Sequence, residues 1–250
     1  MPKREFDSDT ELEGGPLRKI EEIRDYAAKY QQAASESDGQ RKLSSAPWFN
    51  SEYEPLDKNL PDDTLMIDVL APMGLHFMLG IFNDLYDVLD LILEAYGSKM
   101  QAEDWAVSCG IIRKDHYGSK VQFNGPQIHK LFRNLDKLKL MLRDHGVLDA
   151  CKFVVDVFDT FHAMVRSCFG NVWYQERYEN DIKAFAKSFF ILKQNCDDIT
   201  HLKNPKKPIK LSATPKVHGT LVHIRQYLIR RKELHGIEFG LGCFSEQTSG

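Results

Sequence analysis

Between Thr64 and about Tyr96 the chain carries an almost unbroken apolar run, and this run constrains the fold more than any other feature. Leu65, Met66 and Ile67 come first, then Leu75, Phe77, Met78, Leu79, Ile81, Phe82, Leu85, Val88, Leu89, Leu91, Ile92 and Leu93. A helix that is apolar nearly all round is stable in water only when other elements cover it. Its middle therefore reads as a buried helix, with Asp84, Asp87 and Asp90 marking a narrow acidic face. The Asp62-Asp63-Thr64 entry and the Pro72-Met73-Gly74 break predict a short strand or turn ahead of it, at Leu65-Met66-Ile67.

The rest of the chain repeats the helical spacing. Leu17, Ile20, Ile23, Tyr26 and Ala27 predict a helix up to about Tyr30, and a polar stretch from Ser35 to Ser45 ends it. Pro47-Trp48-Phe49 and Tyr53-Glu54-Pro55-Leu56 predict an extended aromatic clasp, because a residue before proline is pushed out of the helical region. A short helix is expected around Trp105. Longer ones are expected over 126–144, 148–168 and 174–195, punctuated by His145-Gly146 and Phe169-Gly170-Asn171. A basic, proline-broken loop, Lys203-Asn204-Pro205-Lys206-Lys207-Pro208, precedes a last helix over 215–234. The expected fold is mainly α: a multi-helix bundle with at most a few short strands. Residues 1–15 are charged and read as a disordered arm, 16–63 as a helix and extended arm, and 64–250 as a helical domain.

Composition narrows the function classes. A 42% hydrophobic content in 250 residues supports a sizeable core, and a net charge of −3 excludes a globally basic nucleic-acid binder. Any such binding is local. Cys109, Cys151, Cys168, Cys196 and Cys243 lie far apart, without zinc-type spacing, and point to a reducing, intracellular compartment. Charges interrupt every apolar run, so no membrane span is expected. The glycine-rich stretch Gly240-Leu241-Gly242-Cys243-Phe244 leads to Ser245-Glu246-Gln247, which reads as the start of a helix that stops in mid-motif. The chain therefore reads as a fragment.

Several residues carry possible chemistry. Asp68 and Glu246 are two acids from distant segments, the kind of pair that holds Mg²⁺ with open positions in phosphoryl transfer. Among 36 acidic residues such a pairing is unspecific, and the plain alternative is a strand-end acid and a helix-start acid. His76 is suited to orienting a carboxylate or donating to a phosphate; the alternative is a core histidine bonded to a backbone carbonyl. His218 and His223 are five apart, about 140° on a regular α-helix, and so are not expected to face one metal ion. Lys203, Lys206, Lys207, Lys210 and Lys216, with Arg225 on the following helix, are candidates for a phosphate backbone; the alternative is a solvated loop and helix face. Cys168 has no base partner in sequence and reads as a buried thiol.

Seven segments together suggest a family: Pro72-Met73-Gly74-Leu75-His76 with Leu79-Gly80-Ile81-Phe82-Asn83; His116-Tyr117-Gly118 with Phe123-Asn124-Gly125; Ser167-Cys168-Phe169-Gly170-Asn171; Thr214-Pro215-Lys216-Val217-His218; and the Gly240–Gln247 stretch. From about Gly15 to Gly250 the chain resembles mobile-element-derived proteins of animal genomes, akin to ribonuclease-H-like DDE/D transposases. The resemblance implies a carboxylate core with a helical insertion before a final glutamate, placing Asp68, His76 and Glu246 in that order. It implies Mg²⁺ bridging the acids during DNA strand cleavage and transfer, and a nuclear location. The chain departs from that plan in having no β-rich segment with a first acid upstream of Asp68, and no short acid-xx-His spacing. Two readings follow: a transposase-derived fragment, inactive as this chain, and a non-enzymatic helical module that binds a protein or nucleic acid. Oligomeric state is not readable from the sequence.

Overall fold

The computed structural model describes residues 12, 16–32, 59–69, 72, 74–111, 122–203, 205, 207–212, 214–236 and 238–241. The fold is mainly α; among the described residues there are helices and two isolated bridges, and no strand. The described residues fall into two compact units, one within Gly15–Ala71 and the other in the span that starts at Pro72. The aromatic clasp at 47–56, the His116-Tyr117-Gly118 segment and the arm at 1–15, apart from Leu12, lie outside the described residues.

In the first unit, α1 (Ile20–Gln32) buries Ile20, Ile23 and Ala27 at the expected helical spacing. Glu21 and Glu22 stand in its first turn and Lys29 in its last, which suits the helix dipole. The segment before it pairs with the residues around Leu65. Lys19 and Leu65 form an antiparallel bridge, Met66 N–H donates to the Arg18 carbonyl at 2.8 Å, and Ile20 N–H donates to the Thr64 carbonyl at 2.9 Å. Arg24 reaches back to Asp62 and donates to the Leu60 carbonyl at 2.9 Å. The strand or turn expected over 65–67 is a single bridging residue followed by the short helix α2 (Met66–Val69), whose turn closes when Asp68 N–H donates to the Leu65 carbonyl at 3.0 Å.

The second unit is built round α3 (Gly74–Ala95), the predicted buried helix. Met78, Ile81, Phe82, Leu85, Leu89, Ile92 and Leu93 are almost wholly inaccessible, while Asp90 stays exposed. Among the described residues α3 packs against α4 (Ala102–Ser108), α5 (Gly125–Phe132), α7 (Lys152–Cys168), α8 (Gln175–Lys203), α9 (Pro215–His218) and a π-turn, Gly219–His223. α6 (Leu135–Asp144) packs on α4 and α7, and α10 (Ile224–His235) continues from the π-turn. Asp90 is not idle, since its carboxylate accepts from Ala102 N–H at 3.1 Å and fixes the entry to α4.

Phe82 is the hub of the core. Its ring lies 5.2 Å from Phe132, 5.4 Å from Phe158, 5.8 Å from Phe123 and 6.5 Å from Trp105, so one side chain ties α3 to α4, α5, α7 and the loop before α5. The edge-to-face geometry with Phe132 and Phe123 adds to the burial term. The single helix expected over 126–144 is two helices. Asn134 ends the first by donating its side-chain amide to the Lys130 carbonyl at 2.7 Å, and its own carbonyl accepts from the Trp105 indole at 3.2 Å. The helix expected over 174–195 runs on to Lys203 and forms a long hairpin with α7.

Candidate functional site

Among the described residues, parts of the segments at 72–76, 79–83, 123–125, 167–171 and 240–241 touch one another. A Cβ on Gly74 would stand 3.0 Å from the Leu241 side chain and 3.1 Å from the Phe169 ring. One on Gly219 would stand 2.6 Å from the Phe77 ring, and one on Gly240 would overlap the Gly170 carbonyl oxygen. A Cβ at Gly219 or Gly240 would come closer than real Cβ atoms do, so something there would have to shift, whereas at Gly74 the Leu241 and Phe169 side chains would have to give by a few tenths of an ångström. Asn83 joins a further segment, since its side-chain oxygen accepts from Phe123 N–H at 3.1 Å while its amide donates to the Leu79 carbonyl at 2.8 Å. Opposite, Trp173 N–H donates to the Glu238 carbonyl at 2.9 Å and Gly240 N–H to the Asn171 carbonyl at 3.1 Å, closing the bridge between Val172 and Phe239. Within the described residues these segments act on one another as packing and backbone closure.

Of the two acids singled out in the sequence, only Asp68 is among the described residues. Asp68 lies half-buried in α2, in the first unit, and His76 lies exposed in the first turn of α3, in the second. Glu246 lies outside the described residues. Among the described residues no group of three or more His, Cys, Asp or Glu is placed to hold a metal ion.

The basic residues have more varied surroundings than the sequence indicates. Lys207 and Lys210 are exposed, in the segment between α8 and α9, while Lys206 lies outside the described residues. Lys203, at the end of α8, holds its ammonium 4.6 Å from the centre of the Tyr96 ring. Lys216 lays its stem across α3, with Nζ 2.6 Å and Cε 2.7 Å from where a Cβ at Gly80 would be. Arg225 is committed elsewhere: its Nε donates to both carboxylate oxygens of Glu179 on α8 at 2.9 Å, with both side chains about a quarter exposed. Arg225 thus stands in an ion pair, whereas Lys207 and Lys210 are exposed. Burial beside that pair pushes the Tyr178 phenol well above its usual range, with Cys168 and Glu179 adding to the effect and Arg225 opposing it.

The geometry expected of His218 and His223 is revised by the structure. The helix that carries them is not regular: Ile224 N–H donates to the Gly219 carbonyl five residues back, and the wider π-turn brings the two exposed imidazoles to 5.0 Å between ring centres. The regular-helix angle of about 140° does not apply. The sequence also places Gly219 in the turn, where its missing side chain admits the Phe77 ring.

One open cleft, of about 1030 Å³, lies at the start of α8 and is lined by Tyr174, Gln175, Glu176, Arg177, Glu179, Asn180, Lys232 and Glu238. Its Lys232 donates to Glu238 at 2.6 Å and to Gln175 at 2.9 Å. The carboxylates thus engage the cations of the cleft, which makes it a poor cradle for an anion.

None of the described helices is long and apolar enough to cross a membrane. In comparisons with known proteins, no family model, curated protein or solved structure matches the chain.

Proposed function

We propose that the chain is the helical portion of a mobile-element-derived, transposase-like protein, and that as this chain it holds DNA by its backbone without cutting it. The observation that carries the reading is charge segregation. From Ile199 to Lys232 there is no Asp or Glu, while Lys203, Lys206, Lys207, Lys210, Lys216, Arg225, Arg230, Arg231 and Lys232 all fall there, in a chain whose net charge is −3. Such a stretch supplies the counterion-releasing cations that a phosphate backbone needs. Lys207 and Lys210 lead, because they are exposed and precede the helical crossing. The packing role of the resemblance-bearing segments supports a scaffold that presents this stretch.

A titration of a short fluorescent duplex, followed by anisotropy at several salt concentrations, tests the reading. Affinity is expected to fall steeply with salt, and each of Lys207→Ala and Lys210→Ala to lower the log–log slope by about one. Retention unchanged between low and high salt would overturn it. Supercoiled plasmid is expected to stay intact in Mg²⁺ or Mn²⁺; nicking that Glu246→Gln abolishes would return the chain to the cleaving class.

A protein-binding reading has one observation in its favour. Val172 and Phe239, paired in the antiparallel bridge, are about half exposed, at 49% and 46%, and Tyr174 is 58% exposed. Sedimentation of the wild type against Phe239→Ser, showing a loss of self-association or of a co-purifying partner, is the result that would favour it.

A further inference from the structure

We propose that His218 and His223 form a surface site for one divalent first-row transition-metal ion, with Zn²⁺ and Cu²⁺ as the chemical types. The argument goes beyond DNA binding and does not depend on it.

It starts from the π-turn. In a regular α-helix, residues five apart diverge; here the Ile224 to Gly219 hydrogen bond widens the turn and the rings stand 5.0 Å apart, almost perpendicular at 88°. That separation can be compared with what one metal ion demands. With metal–nitrogen bonds of about 2.1 Å, each imidazole centre lies about 3.2 Å from the ion, so two cis rings are about 4.5 Å apart at a right angle and about 5.2 Å apart at the tetrahedral angle. The observed value falls between them. Both rings are exposed, so water can complete the coordination.

The neighbouring side chain fits the same assignment. His223 Nδ1 lies 3.3 Å from the Gln226 side-chain oxygen. Oxygen accepts, so Nδ1 carries the proton and Nε2 keeps a lone pair for a metal; this is the outer hydrogen bond by which ligating histidines are usually oriented. Two imidazoles select a borderline ion over Mg²⁺ or Ca²⁺, which take oxygen. Lys216 and Arg225 flank the pair in sequence and oppose a cation, so the site is of moderate strength, and an anionic group arriving with the metal would be favoured. Turns of this π type recur at functional sites, because the inserted residue re-aims side chains that a regular helix keeps apart.

The test uses the whole chain, stripped with EDTA. Cu²⁺ is added in stoichiometric steps and followed by electron paramagnetic resonance; Zn²⁺ is followed by calorimetry. One equivalent is expected to bind with the signature of two nitrogen ligands. His218→Ala and His223→Ala are each expected to remove one nitrogen and weaken binding at least about tenfold, with Gln226→Ala giving a smaller loss. His145→Ala, on α6's C-cap, leaves the site unchanged. Identical melting curves in EDTA confirm that the variants fold; if an alanine variant does not, His218→Gln and His223→Gln are read instead. Absence of binding, a one-nitrogen signature, or binding that survives loss of either histidine would each overturn the proposal.

Discussion

A Cβ on Gly219 would stand 2.6 Å from two carbons of the Phe77 ring, so the π-turn crosses α3 with backbone against aromatic face. Gly219 opens the π-turn across which His218 and His223 stand 5.0 Å apart. Gly219→Ala therefore sets two effects against each other. Alanine is favoured over glycine in a helix by about 1 kcal/mol, whereas forcing a methyl group against a ring costs about 1–3 kcal/mol. Overpacking wins because the obstacle is a ring held in the crossing rather than the free end of a chain. Urea unfolding is expected to show a net loss of about 1–2 kcal/mol, and Phe77→Leu is expected to recover part of it in the double variant.

The Arg225–Glu179 pair predicts a separation of roles among the cations. Both partners are about three-quarters buried, so Glu179→Gln leaves a guanidinium without its carboxylate and costs about 1–2 kcal/mol, less than for a fully buried pair. Arg225→Ala is expected to destabilise similarly while leaving the salt slope of DNA binding close to the wild type. Lys207→Ala is expected to do the reverse, lowering the slope without moving the urea midpoint. An equal fall in slope for both variants would show that Arg225 leaves Glu179 for phosphate.

Much of this fold was legible from local signals. The apolar run over α3 and the spacing of Val154, Phe158 and Phe161 on α7 and of Ile182, Phe185 and Phe189 on α8 are all periodic. What escaped depends on contacts distant in sequence. Arg225 and Glu179 are 46 residues apart. Gly80 and Gly219 have meaning only once Lys216 and Phe77 are laid across them. The split of the 126–144 helix turns on Asn134, whose partners are the Lys130 carbonyl one turn back and the Trp105 indole 29 residues away. The π-turn is hidden for the same reason, since its cause is the crossing with α3 and its composition differs little from that of an α-helix.

The cysteines predict a silent thiol chemistry with a definite pH sign. Cys151 and Cys196 are held by burial to about 12 instead of 9.0, and Cys168 is raised well above 9.0 by burial and by Asp181. In the folded chain these thiols stay protonated, whereas in the unfolded chain they ionise near pH 9. Their contribution to stability is thus fully present below pH 9 and is lost as pH rises from there towards 12. Iodoacetamide labelling at pH 8.5, read by peptide mass, is expected to leave Cys151, Cys168 and Cys196 unmodified until denaturant is added. Labelling of Cys168 at the rate of a free thiol would contradict the packing at the end of α7.

At the acid end, the sign runs the other way. His162 stacks on Phe132, with ring centres 4.8 Å apart and planes within 4°. Its pKa lies below the ordinary 6.5, chiefly because burial disfavours the imidazolium and secondly because Arg166 and its neighbours repel it. The unfolded chain therefore takes up this proton before the folded one does. Stability from this residue is present above pH 6.5 and is lost as pH falls from there through the depressed folded value. A proton NMR titration is expected to place the His162 midpoint below the ordinary 6.5, and His162→Phe to flatten the decline in melting temperature below pH 6.5. The stacking partner makes the test specific: Phe132→Leu removes the aromatic cover, admits water, and is expected to move the His162 midpoint back towards the ordinary value.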